Sequence, residues 1–451
     1  MLKRDNFNFL TEAPVPKVIG TLSVPTIISM LITTIYNMAD TFFVGKIDTQ
    51  STAAVGIVFS VMFIIQSIAF FFGHGSGNYI SRALGAQRHD DARQMATTGF
   101  VYAFAFGIII TIAGLIFLRP LAIALGATPT VLPPTLDYMS IILIGAPFMT
   151  AQFTLNGQMR FQGNAELAML GVVVGAVMNV GLDPLLIFTL GMGVKGAAWA
   201  TVIGQVSSFI ILMALTHHGG NIRLHIKDFN PSWHFIKEIA TGGTPSLMRQ
   251  SLGSIASILL NVAASAYGDA AIAAMSIVNR IAMFIMSTVI GLGQGYQPLC
   301  GFCYGAKLYN RVKEGFWFCV HVGTVFLLAC TVIGFAFSHS LIAVFRDDPQ
   351  VITIGIDALR WQLITLPLCA LSMYSNMMTQ TAGMTKRANL LAASRRGIFF
   401  IPLIMILPHY FGITGVEACQ AAADVCTFVL TVPVLRYTLR QLGQDKTHPK
   451  A

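Results

Sequence analysis

Residues 25–45 read PTIISMLITTIYNMADTFFVG, inside a run from Val18 to Val44 that is almost wholly apolar or small. At 1.5 Å rise per residue, such a run crosses the roughly 30 Å hydrocarbon layer as one helix. Near its far end stands Asp40, with Asn37 three residues before it and Tyr36 four before it. Residues three and four apart share a helix face, so a carboxylate, an amide and a phenol line one stripe. An acid at bilayer depth costs about 2.5–3.5 kcal/mol on insertion scales. It is either a polar contact between packed helices or a cation or proton site facing a bundle interior. A cost of that size favours the second.

The pattern extends along the chain. Of the 451 residues, 55% are hydrophobic and 10% charged, and the mean hydropathy is +0.70, values that describe a polypeptide whose solvent is mostly lipid. Apolar runs begin near Val18, Ala53, Met95, Leu132, Leu167, Val194, Glu238, Ala271, Gly315, Ile352, Asn389 and Thr414. They predict an all-α integral membrane protein with twelve transmembrane helices and no sizeable soluble domain between them. The net charge of +9 points to no nucleic acid, because the basic residues are sorted by side. Loops on one side carry Lys17, Arg82, Arg88, Arg93, Arg223, Lys227, Lys307 and Arg311, whereas loops on the other hold only Lys46, Arg119, Lys195 and Arg346. That asymmetry predicts both termini in the cytoplasm. The first run is too long for a signal-peptide core and is expected to remain as the first span. Seven cysteines, an odd number and mostly within spans, argue against a disulfide framework.

The second half of the sequence repeats the first. Laid so that Pro25 falls on Pro245, the two halves also match Gly73 with Gly293, Gly75 with Gly295, Gly85-Ala86 with Gly305-Ala306, Pro147 with Pro367, Asn156 with Asn376 and Gly163 with Gly383. With a slip of one position, Gly193 and Gly196 meet Gly412 and Gly415. A tandem duplication of six spans gives two parallel repeats about an axis along the membrane normal, the layout of an alternating-access transporter. The expected division is 1–216 for the first bundle, 217–237 for a cytoplasmic linker, 238–440 for the second bundle and 441–451 for a cytoplasmic tail.

Polar stripes locate the chemistry in the first half. Gly171, Gly175, Asn179 and Asp183 follow one another at i, i+4 spacing, the glycines permitting close backbone approach and the amide and acid continuing their face. With Thr201 of the sixth span and Asp40 of the first, they form an all-oxygen set on three helices, suited to a hard monovalent cation or to a shared proton. The second half has Leu260 at the place of Asp40 and carries Arg395 and Arg396 in its fifth span. Asp357 and Glu417 fall near outer ends, where water makes an acid ordinary. The segment 191–196, GMGVKG, matches a dinucleotide fingerprint without the parallel sheet it requires, Cys300 and Cys303 have redox spacing within a hydrophobic helix, and His217, His218, His225 and His234 lie in or beside the linker.

PTIISMLITTIYNMADTFFVGK, together with AAVGI at 53–57, SRALGAQ at 81–87, NVGLDPLLIF at 179–188 and GVKGAAWAT at 193–201, resembles the multidrug and toxic compound extrusion (MATE) family, and within it the bacterial MepA-like and DinF-like branch. The resemblance implies the MATE fold: two pseudo-symmetric six-helix bundles around a central cavity. It also implies export of cationic or amphipathic drugs against an inward flow of H⁺ or Na⁺, without another cofactor and by a secondary transporter rather than an enzyme. It places the coupling ion, with Na⁺ as the metal candidate, on Asp40, Asn179, Asp183 and Thr201, and assigns Pro25 to a bend of the first helix. Drug contacts are expected at Tyr36, Asn37, Gln66 and Asn156, and the protein is expected to be a monomer in lipid of the bacterial inner membrane. Members with acids in the seventh and tenth spans are not matched, since the seventh has Asn261 instead. The alternatives are a lipid-linked oligosaccharide flippase, which would turn arginines such as Arg249, Arg280 and Arg360 into the cleft, and a membrane-embedded enzyme, for which no buried His, Cys or Ser constellation is evident.

Overall fold

Asp48 and Asp348 explain why the helices outrun their apolar segments. The Asp48 carboxylate accepts the Ser51 backbone N–H at 2.6 Å, and Asp348 accepts those of Gln350 and Val351 at 2.9 and 3.3 Å. Each cap satisfies donors that a helix N-terminus leaves open, so these helices start at Thr49 and Pro349, a few residues ahead of the hydrophobic runs.

The computed structural model describes residues 6–444, and no strand occurs among them. In order, the first half contains α1 (Asn6–Glu12), α2 (Val15–Gly45), α3 (Thr49–Gly85), α4 (His89–Ile116), α5 (Leu118–Ala124), α6 (Leu132–Phe161), α7 (Ala165–Pro184), a π-helical turn (Leu185–Thr189) and α8 (Val194–Leu215). After the linker come α9 (Trp233–Ser265), α10 (Asp269–Gly305), α11 (Tyr309–Ala336), α12 (Ser338–Ala343), α13 (Pro349–Thr381), α14 (Thr385–Ala393), a second π-helical turn (Ser394–Ile398), α15 (Phe400–Phe411) and α16 (Ile413–Gln444). The first five residues and most of the expected tail lie outside the described residues. Twelve helical spans form two six-helix bundles. Eleven of the spans are long and apolar enough to cross a membrane on hydropathy alone. The remaining one, α9, falls short because Ser246, Arg249, Gln250, Ser254, Ser257 and Asn261 crowd it.

The duplication extends to features that hydropathy does not report. The short helices α5 and α12 begin at Leu118 and Ser338, which are equivalent positions in the two repeats. Gln87 and Lys307, another equivalent pair, are the two non-glycine residues with positive φ among those described, at 61° and 60°, in the same turn of each repeat. Thr111 donates to the Leu143 carbonyl, and Thr331 to that of Leu363.

The first helix of each bundle crosses into the other. Val15, Val18, Ile19 and Leu22 of α2 pack into the hydrophobic core of the second bundle, while Val44 at its other end belongs to the core of the first. In α9, Phe235 and Ile239 join Phe72, Tyr79, Ile80 and Met95 of the first bundle, while Ala256, Leu260 and Ala264 stay with the second. Pro25 and Pro245 lie between the two halves of these helices. Both helices run unbroken through their prolines, each of which removes one backbone hydrogen bond from the helix interior.

Cross-bundle contacts gather at the end that carries the termini. Ser23 Oγ donates to the Leu292 carbonyl at 3.2 Å, Thr381 Oγ1 to Asn78 Oδ1 at 3.0 Å, and Arg82 both to the Thr381 carbonyl at 2.8 Å and to Glu238 at 2.9 Å. Arg160 of α6 donates to Gln294 of α10. The hydrogen bond nearest the opposite end is Thr34 with Ser287, at mid-helix. Glycines bring the backbones together here: a Cβ on Gly75 would collide with the Ile239 carbonyl, one on Gly295 with Ser23, and one on Gly85 with the Phe302 carbonyl. The closely spaced glycines of α3 therefore serve tight helix approach, not a break in the helix. Overpacking costs about 1–3 kcal/mol. Gly75→Ala is accordingly expected to lower the thermal unfolding midpoint of the purified protein by several degrees, whereas Gly20→Ala, with no atom within 4 Å of its new Cβ and a gain in helix propensity, does not lower it. Equal midpoints for the two variants would contradict the inner contact.

Candidate cation-coupling site

Four elements of the first bundle converge on one point. The approach of α7 to α8 is set by two glycines: a Cβ on Gly204 would lie 2.7 Å from the Gly175 carbonyl oxygen, and one on Gly175 3.0 Å from that of Gly204. One turn further along, the Asn179 amide donates to Thr201 Oγ1 at 3.2 Å. Asp183 follows a further turn along the Asn179 face, just before Pro184 ends the helix. Helix α2 packs across α7 and brings Asp40 to the cluster, near enough for Asp40 and Asp183 to interact electrostatically. All four expected cation residues are buried: Asp40 is 5% exposed, Asn179 3%, Asp183 0% and Thr201 5%.

The charges in this cluster lack protein partners. Asp40 Oδ1, Asn179 Oδ1 and both carboxylate oxygens of Asp183 are buried with no hydrogen bond. None of the five ion pairs among the described residues involves either acid. Buried ionised carboxylates without a counter-charge are strongly disfavoured, so such a site demands a cation or a proton. Its donors are all oxygen, as a hard monovalent ion requires.

Tyr138 of α6 completes the group and was not singled out in the sequence. Its ring is fully buried, its hydroxyl faces the Thr201 side chain, and it interacts electrostatically with both Asp40 and Asp183. The only signal for it is one phenol in the aliphatic stretch 138–146, which does not continue any polar stripe.

The expected drug contacts divide. Tyr36 and Asn37 are half-buried on α2, one turn from Asp40, and Gln66 is half-buried on α3. Asn156 does not join them. Its amide nitrogen donates to the Ala168 carbonyl at 2.8 Å, and Asn376 donates likewise to Ala388 at 2.7 Å, so the pair is a helix clamp kept through duplication. The cysteines are all free, and no group of three or more His, Cys, Asp and Glu side chains capable of holding a metal occurs among the described residues.

A doubled membrane bundle, closed at one end and holding unpaired acids inside one half, defines a secondary transporter rather than an enzyme. The MatE family model matches residues 25–185 and again 245–406, its two starts falling on the equivalent prolines Pro25 and Pro245, and the chain belongs to that family. It is 26% identical over 449 residues to the multidrug export protein MepA of Staphylococcus haemolyticus strain JCSC1435, covering 99% of this chain and 98% of the relative. It is 27% identical over 440 residues to that of Staphylococcus aureus strain MRSA252, covering 95% and 97%. The fold is similar, with a TM-score of 0.92 and 27% identity over 98% of this chain and all of the other, to a multidrug resistance MATE family transporter of the MOP superfamily in its outward-facing conformation.

Gly204→Ala would push α8 off α7 and separate Thr201 from Asn179 without touching a carboxylate. It is expected to raise the half-saturating concentration of the coupling ion roughly tenfold, the scale on which supporting interactions tune ion sites. An unchanged ion dependence of transport would show that the glycine contact does not set the site.

Proposed function

We propose that the protein is an antiporter that exports cationic or amphipathic drugs by alternating access, driven by H⁺ or Na⁺ bound among Asp40, Asn179, Asp183 and Thr201, with Tyr138 beside them. The observation that carries this reading is the set of buried acid and amide oxygens left without partners in a chain of this family. The names of its relatives, multidrug export proteins, support the substrate class. Drug contacts fall to Tyr36, Asn37 and Gln66, whose polar groups make no hydrogen bond to other side chains among the described residues. The protein would lie in a bacterial cytoplasmic membrane with both termini inside, and the bundle of 1–216 would hold the ion site.

The mechanism follows from the path of α2. A cation entering from the side opposite the termini compensates one charge of the Asp40 and Asp183 pair, relieves the repulsion between them and draws α2, α7 and α8 together around it. Because the inner half of α2 is packed in the opposite bundle, this movement reaches the contacts that close the inner end. Coupling then arises from the difference in ion and drug affinity between the two states. Opening the inner end requires release of Arg82 from Glu238 and from the Thr381 carbonyl. The flippase reading is not favoured: Arg249 is bonded to Asn376 and Ser246, Arg280 is exposed, and Arg360 lies over the Phe335 ring.

Dye efflux from reconstituted vesicles under separately imposed pH and Na⁺ gradients identifies the driving ion. Asp40→Asn is expected to abolish gradient-driven efflux while the protein still inserts and folds. Wild-type rates from that variant would remove Asp40 from the mechanism.

A further inference from the structure

The second bundle does not leave the place of the cation site empty; it fills it with charge of the opposite sign. Leu260 takes the place of Asp40 in the repeat and Gln420, after the slip of one position, that of Thr201; both line a partly enclosed pocket with Ser257, Asn279, Gln362 and Arg396. Arg395 and Arg396 are delivered by the π-helical turn Ser394–Ile398, whereas the corresponding stretch of α7 is regular helix. Such turns add a residue to a helix and are concentrated at functional sites.

The two arginines have different fates. Arg395 grips Asp424 through two bonds, Nε to Oδ1 at 2.7 Å and Nη2 to Oδ2 at 3.3 Å, while Gln420 and Cys369 donate to the same carboxylate at 2.9 and 3.4 Å. Four donors occupy the Asp424 carboxylate, which acts on Arg396 only at a distance, through its charge. Arg396 makes no hydrogen bond or ion pair among the described residues, and neither do the side-chain amides of Asn279 and Gln362. One unpaired guanidinium flanked by free amides is a donor-rich cavity, the converse of the acceptor-rich cluster around Asp183. Glu417 is the acid on this wall; it also borders an outer groove with Asp357, Arg360 and Trp361, so it sits between the pocket and the outer surface.

We propose that this pocket binds the carboxylate of a zwitterionic amphiphile, with Arg396 as its counter-charge and Glu417 facing the positive end of the same molecule. The planar fork of a guanidinium matches a carboxylate edge to edge, and the free amides supply further donors. Glu417 at the rim repels a simple anion but not a compound that also carries a cation. The inference rests on the export reading for the source of the ligand, and on nothing else in it.

The test uses the full chain in phosphatidylcholine nanodiscs, with modification of Arg396 by phenylglyoxal followed by peptide mass spectrometry. Rhodamine B, which carries a free carboxylate, is expected to slow modification about fivefold, while its methyl ester, identical but for the blocked acid, does not. Equal protection by both dyes, protection by neither, or an Arg396 that never reacts would each overturn the proposal. So would protection that appears without dye when phosphatidylglycerol replaces phosphatidylcholine, which would assign the pocket to a lipid phosphate. In fluorescence anisotropy, Arg396→Gln is expected to erase an approximately tenfold preference for rhodamine B over the ester. Gradient-driven efflux of the ester in the absence of Arg396 protection would leave the export reading standing and the pocket refuted. Protection without any driven efflux would do the reverse.

Discussion

The packing of α2 into both bundles is the constraint on which the rest depends. Leu22 and Val44 are on one continuous helix, yet they belong to different hydrophobic cores. Protein interiors are close-packed, so neither end of α2 can shift without its neighbours moving. Asp40 sits toward the end of that helix away from the chain termini, against α7, and Ser23 toward the end that carries them, against α10. A change of charge at Asp40 is therefore mechanically continuous with the closure of the inner end. Helix α9 repeats the arrangement from the other side, which gives each bundle a hold on its partner and makes the inner contact reciprocal.

Two electrostatic solutions coexist in one fold. In the second bundle the buried acid Asp424 is fully satisfied by Arg395, Gln420 and Cys369. Removing one partner from such a buried pair typically costs about 3–5 kcal/mol, so the arrangement is static. In the first bundle Asp40 and Asp183 have no such partners. The same physical cost, the burial of a charge, is met by a permanent neighbour in one bundle and by no protein partner at Asp40 and Asp183 in the other.

Much of this was legible in the chain because membrane helices advertise themselves. Long apolar runs marked out the spans, and the internal repeat predicted two equivalent halves. The i, i+4 spacing of Gly171, Gly175, Asn179 and Asp183 placed amide and acid on one face, since helical geometry alone decides that. Tyr138 could not be found that way: it reaches the site from α6, through tertiary packing that leaves no periodic trace. The clamp made by Asn156 was hidden for a related reason. A polar residue inside a span has to satisfy its hydrogen bonds somewhere, and the Ala168 carbonyl lies close by. The Asp424 pairing was likewise invisible, because it joins two helices through a π-helical turn that no local pattern announces.

Duplication preserved geometry and released chemistry. Asn156 and Asn376 keep the same clamp, Thr111 and Thr331 the same carbonyl bond, and Gln87 and Lys307 the same strained turn. Each of these holds helices in position, and each is satisfied within its own half. Among the positions that changed are two facing the bundle interiors: Asp40 against Leu260 and Thr201 against Gln420. A transporter with two identical ion sites would neutralise both halves alike, and symmetry would give it no preference as to which bundle reshapes first. The facing pair of unpaired acids, Asp40 and Asp183, belongs to the first bundle, whereas the buried Glu417 of the second shares its pocket with Arg396, so a change of charge bears differently on the two halves. The asymmetry in charge, laid over symmetry in backbone, thus gives the conformational change a place to begin.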